Sequence, residues 1–131
     1  MLVVTSNTIL LVEDQALIAI SLGAALEKHG YVVTIAASGS AAIAAISAIG
    51  SGPGAMTGLI TDIDLRSGPD GWEVARQARL VSPMLPIVYV TGRSARHHEQ
   101  FGVPKSVLID KPFAEAQVVD ALTQLIDDTR S

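Results

Sequence analysis

The chain has 131 residues, 49% hydrophobic and 17% charged, with mean hydropathy +0.42, so it fits one folded domain and not a disordered, charge-rich tail. A net charge of −4 and only 4% aromatic residues leave neither a basic field for a phosphate backbone nor a base-stacking surface, so direct nucleic-acid binding is not expected. Cysteine is absent, no apolar run approaches the roughly 18 residues of a membrane span, and the first residues lack a basic signal-peptide region; a soluble, cytoplasmic protein without membrane insertion is expected.

Short apolar runs alternate with longer amphipathic ones. Ile9–Val12 is apolar and β-branched, as in a buried strand. Residues 15–29 read as a helix, with Lys28 and His29 at its negative end and Gly30 placed to terminate it. Val32–Ile35 is a second strand, and Ser38 can cap an alanine-rich helix over 40–49. A glycine-rich loop, 49–54, precedes a third strand, Leu59–Asp62, which ends in an acid. Residues 71–81 form a helix that stops before Ser82-Pro83, and Ile87–Thr91 is a fourth strand. A short helix over 95–100, a fifth strand at Val107–Ile109 and a last helix over 114–128 complete the pattern.

Five strand–helix units in succession predict an α/β fold, a doubly wound parallel sheet with both faces covered by helices. The units run from residue 8 to 128, so a single domain with no output domain is expected. In such sheets ligands sit at the carboxyl ends of the strands. Glu13 and Asp14 follow the first strand, Asp62 and Asp64 the third, Thr91 the fourth, and Asp110 and Lys111 the fifth. The second strand ends in Ala36-Ala37, as expected of a strand at the rim. Several carboxylates in one pocket repel unless a proton or a cation joins them. An all-oxygen donor set in a small site favours Mg²⁺. Around Asp62, a metal, a lysine and a hydroxyl are what phosphoryl transfer to an aspartate requires.

The strings ILLVEDQ, LITDIDL, PDGWEVAR, PIVYVTG and VLIDKPF resemble, in order and spacing, the receiver domain of two-component response regulators. The match covers nearly the whole chain. The resemblance implies a flavodoxin-like (βα)5 fold with strand order 2-1-3-4-5. It implies Asp62 as phosphoacceptor, Thr91 as the switch hydroxyl and Lys111 as the phosphate-contacting lysine, followed by a cis bond to Pro112. Glu13 and Asp14 would be the acidic pair, Asp14 the more direct Mg²⁺ ligand, and the backbone carbonyl of Asp64 would complete the set with Asp62. The donor would be a histidine kinase or histidine phosphotransfer protein, and a further protein would read the signal.

This sequence departs from the family pattern in three places. Arg66 stands where many receivers have proline, the loop before Asp70-Gly71 is one residue longer, and Leu108 replaces the fifth-strand aromatic whose rotamer often reports phosphorylation. With the Thr-Gly after strand four, the combination is similar to stand-alone receivers of alphaproteobacterial type. Asp64 and Arg93 flank the acceptor and the threonine, and a pairing across the mouth of the site is one expectation for them.

Other features have plainer readings. His97-His98 reads as a solvated helix end, residues 50–54 as a loop and not a phosphate cradle, and Trp72 and Phe113 as packing residues. The first helix has two apolar stripes, Leu17/Ile20/Ala24 and Ile18/Leu22/Ala25, where a sheet-covering helix needs one. Since receivers dock partner helices through this helix, Ile18 and Leu22 are candidate contacts. Two rival functions remain. DIDLR at 62–66 approaches the motif of haloacid-dehalogenase-type phosphatases but lacks its threonine and its downstream acids. A receiver-like docking module that is never phosphorylated is the other.

Overall fold

The computed structural model describes residues 7–52, 54–92 and 98–130. Its elements are β1 (Thr8–Val12), α1 (Ala16–Lys28), β2 (Val32–Ala36), α2 (Gly39–Ile49), β3 (Gly58–Asp62), α3 (Gly71–Val81), β4 (Ile87–Thr91), α4 (His98–Phe101), β5 (Ser106–Asp110) and α5 (Glu115–Arg130). The five strands are parallel in the order β2-β1-β3-β4-β5. This is the expected doubly wound α/β sheet, with β2 at one edge and element ends within two residues of those read from sequence, except for the start of α4: residues 95–97 lie outside the described residues.

Strand periodicity builds two cores, because successive side chains point to opposite faces. Leu10, Val12, Leu59, Ile87 and Tyr89 pack with Ala42, Ile46, Ala75 and Ala78 of α2 and α3. Ile9, Leu11, Ile60, Val88 and Val90 pack with Leu22 and Leu26 of α1 and Val118, Leu122 and Ile126 of α5. Each large aliphatic side chain so buried contributes about 1.5–3 kcal/mol. Local chemistry sets the helix ends. Ser38 Oγ accepts from Ala41 N at 3.1 Å and Asp70 Oδ1 accepts from Glu73 N at 2.9 Å, each satisfying a donor that the first turn leaves open. Gly30 follows α1 with φ +89°, the left-handed turn foreseen there.

Helix α1 corrects one expectation. Leu22 is only 1% exposed and belongs to the core, whereas Leu17 (84%) and Ile20 (64%) face outward. The outward stripe is therefore Leu17/Ile20/Ala24, and Leu22 is not available to a partner. The reason is rotational: Ala19, Gly23 and Leu26 form the buried face with Leu22, and Gly23 brings the helix onto Val33 and Ile35 of β2. Ile18 lies half-buried at the flank nearer α5.

Candidate functional site

Parallel pairing in register brings the carboxyl ends of β1, β3, β4 and β5 to one edge. Val12 stands beside Thr61, Asp62 beside Val90, and Thr91 beside Asp110. Backbone bonds extend the alignment past the strands: Glu13 N donates to Ala36 O (3.1 Å), Ile63 N to Val90 O (3.1 Å) and Lys111 N to Thr91 O (2.7 Å). Gly71 starts α3 against this edge. A Cβ there would lie 2.2 Å from the Asp62 carbonyl oxygen, so only glycine lets α3 begin so close to the acceptor strand.

The fold thus gathers the acids read from sequence. Glu13, Asp14 and Asp62 offer carboxylate oxygens within 4.8 Å of one another, and Asp62 is only 3% exposed. Lys111 Nζ donates to Glu13 Oε1 and Asp62 Oδ2, both at 3.0 Å. The other Asp62 oxygen, Oδ1, accepts from the backbone N–H of Asp64 at 3.1 Å. Glu13 Oε2 accepts from Gln15 N at 3.1 Å. Burial, helped by the nearby charge of Asp62, pushes the Glu13 carboxyl above its ordinary range against the pull of the Gln15 N–H and Lys111. For Lys111, burial pulls the ammonium down, but its bonds to Glu13 and Asp62 prevail and raise it, so it stays charged. The Lys111–Pro112 bond is cis, as the resemblance implied.

Thr91 is fully buried at its strand end and donates to Asp64 Oδ2 at 3.3 Å. Arg93, the other partner considered for Asp64, lies outside the described residues, as does His97. His98 is not a solvated helix end. Its ring stacks on Trp72 (centroids 6.4 Å apart) and meets Tyr89 edge-on (5.7 Å). Its Nε2 lies 2.9 Å from Ser106 Oγ. That hydroxyl spends its one proton on Val103 O at 2.6 Å, so His98 Nε2 is the donor.

Sequence reasoning missed two contacts. Arg66 reaches Asp14 with Nε 3.4 Å from Oδ2, and its backbone N donates to the same oxygen at 3.2 Å. Its unusual place in the loop was the available signal. Tyr89 stands in register with Leu108, and its hydroxyl accepts from Val103 N at 3.1 Å. An aromatic at the position paired with the missing one was legible only once strands four and five were set side by side.

A doubly wound parallel sheet with an acid cluster and one lysine at its carboxyl edge defines a receiver-type phosphoacceptor fold. The response regulator receiver domain model matches residues 9–123, so the chain belongs to that family, whose members are generally signalling modules of two-component systems and not enzymes. The chain is similar to a response regulator receiver protein from Sinorhizobium medicae WSM419, with 37% identity, TM-score 0.88, and coverage of 95% of this chain and 97% of that one. Two further structures share the fold at 24% identity. One is a CheY-like receiver domain protein from Methanospirillum hungatei JF-1 (TM-score 0.80, covering 96% and 98%). The other is the receiver domain of a sensor histidine kinase from Pseudomonas aeruginosa PAO1, solved with a magnesium ion in its active-site cleft (TM-score 0.74, covering 94% and 99%). No curated protein matches the chain at a significant level. No helix among the described residues is long and apolar enough to cross a membrane.

Proposed function

We propose that this chain is a cytoplasmic, single-domain response regulator that takes a phosphoryl group onto Asp62 from the phosphohistidine of a histidine kinase or phosphotransfer protein, with Mg²⁺, and signals through a protein partner. One observation carries the reading: Asp62 is buried at a strand end with Lys111 Nζ 3.0 Å from one oxygen and two further acids against it.

The donor set fits the metal, since three carboxylates without nitrogen or sulfur suit a hard cation. Glu13, Asp14, Asp62 and the backbone carbonyl of Asp64 would hold it. When bound, Mg²⁺ neutralises charge on the cluster and on the phosphoryl oxygens. The chain's own residues do the rest. An Asp62 carboxylate oxygen attacks phosphorus, the phosphorus–nitrogen bond of the donor breaks, and the imidazole leaves with the electron pair. Lys111 then moves its ammonium from the Asp62 carboxylate to a phosphoryl oxygen. The Thr91 hydroxyl exchanges its bond to Asp64 for one to the phosphoryl group, pulling on the end of β4.

A groove of about 730 Å³ beside Lys111, lined by Leu17, Ile18, Phe113 and Glu115 among others, supports docking of the donor's histidine-bearing helix against α1. Ile18 remains the candidate contact, now with Leu17 in place of Leu22.

Incubation with acetyl phosphate and Mg²⁺ tests the reading. One phosphate per chain should be incorporated, lost on Asp62→Asn and on chelation of the metal. Repeated turnover of a phosphate ester would instead favour a phosphatase. No thermal shift with beryllofluoride and Mg²⁺ would favour a docking module that is never phosphorylated. Ile18→Asp should block transfer from a phosphorylated kinase and leave acetyl phosphate labelling intact; survival of both would end the docking assignment.

A further inference from the structure

The three carboxylates of the cluster are already matched by cations. Lys111 serves Glu13 and Asp62, and Arg66 serves Asp14. The two cations differ in kind. Lys111 is largely covered and follows β5, whereas Arg66 is 78% exposed and sits on the loop after β3. Arg66 holds Asp14 Oδ2 twice, through its guanidinium at 3.4 Å and its backbone N–H at 3.2 Å. The backbone bond fixes the loop, so the guanidinium can leave without unfolding it.

We infer that Arg66 is a built-in competitor for the metal site: its guanidinium pairs with Asp14 Oδ2 and opposes the binding of a divalent cation by that carboxylate. The inference rests on the receiver reading and deepens it, by naming the residue that sets metal affinity. Charge favours the exchange. Three carboxylates face one positive charge from Lys111 and one from Arg66. A divalent ion with Arg66 displaced brings the cluster to neutrality; with Arg66 still in place the cluster would hold an excess positive charge. Arg66 therefore opposes the metal both by holding its ligand and by like-charge repulsion. Because the guanidinium is exposed, its hold is weak, of the size measured for surface ion pairs, and is screened by salt. The consequence is a receiver that is poorly charged with metal at low Mg²⁺ and gains competence as Mg²⁺ rises, with the part of the barrier due to Arg66 shrinking as salt screens its pair.

Calorimetric titration of the full chain with MgCl₂ tests this. Arg66→Gln keeps the backbone bond to Asp14 and should bind Mg²⁺ about two- to fivefold more tightly at low salt. Arg66→Lys, which keeps the charge but not the planar fork, should fall between the two. At about 0.5 M KCl, where the screening length is only a few ångströms, the difference should close. Asp14→Asn should abolish the titration in both backgrounds. Equal affinities for the wild type and Arg66→Gln, or weaker binding by the variant, would overturn the inference and leave the receiver reading standing. Binding that survives Asp14→Asn would place the ion elsewhere and also overturn it. No binding by any form would overturn both.

Discussion

Two regions beside β4 treat their polar groups in opposite ways. At the carboxyl edge, the acids of the cluster are paired, among the described residues, with the ends of two long cationic side chains, Lys111 and Arg66. Two residues back along β4, Tyr89 enters a hydrogen-bond network that ends on backbone groups: Val103 N donates to Tyr89, His98 to Ser106, and Ser106 to Val103 O. Charges held by movable side chains can be handed to a ligand, because a new cation or phosphoryl group replaces what is displaced. Bonds that end on backbone groups offer nothing to exchange and serve to fix α4 and its loop onto the sheet. Thr91 and Tyr89 share a face of one strand, so the exchangeable region and the fixed one are two residues apart.

If that contrast holds, truncation in the aromatic region should have the largest effect on stability. Trp72 meets Tyr89 at 4.7 Å between ring centroids and also touches His98 and Phe101. Trp72→Ala should lower the unfolding free energy by about 3–5 kcal/mol, read from the urea midpoint. A loss below about 1 kcal/mol would mean that this region is not a packed anchor.

Tyr89→Phe is the next largest and isolates the hydroxyl. It leaves Val103 N–H without its acceptor and should cost about 1 kcal/mol at neutral pH. It also has a pH signature. Burial raises the Tyr89 phenol above its ordinary 10.0, with the Val103 N–H and the Arg79 charge opposing. A group raised on folding holds its proton longer in the native state, so its contribution is fully present below pH 10.0 and is lost as pH rises through the raised value. Denaturation midpoints taken across the alkaline range should therefore fall less steeply for Tyr89→Phe than for the wild type. Parallel curves would mean that the phenol is not held in this way.

These tests also separate what the sequence made legible from what it did not. The sheet and the positions of Asp62, Thr91 and Lys111 could be read, because each residue ends or follows an apolar strand that must deliver its polar residue to one edge, whereas the strand order followed from the resemblance to receiver domains. The facing of α1 could not. It has almost no polar residues to mark its outer side, and two apolar stripes fit equally well until Gly23 is seen against β2. His98 was misjudged for a related reason: a histidine in a short helix looks solvated unless the partners for its ring are known, and Trp72 and Ser106 come from other elements. Arg66 was noticed as a departure in loop sequence, but its reach across to Asp14 is a contact between residues 52 positions apart.

The smallest expected effect has the opposite sign and falls at the acid cluster. Asp62 and Glu13 are both buried and share Lys111, and the charge of Asp62 adds to the burial that raises the Glu13 carboxyl. Asp62→Asn removes that repulsion and the desolvation of one carboxylate. Lys111 keeps Glu13 as its partner, and the new amide oxygen can still accept from Asp64 N. The lost attraction to Lys111 is thus outweighed, and the variant should gain about 0.5–1 kcal/mol in metal-free buffer, measured by urea unfolding. Added Mg²⁺ should then close the gap, because the wild type, with its carboxylate intact, is stabilised more by binding. A variant less stable than the wild type without metal would show that Asp62 is held as firmly as Tyr89, and the contrast between an exchangeable edge and a fixed one would fail.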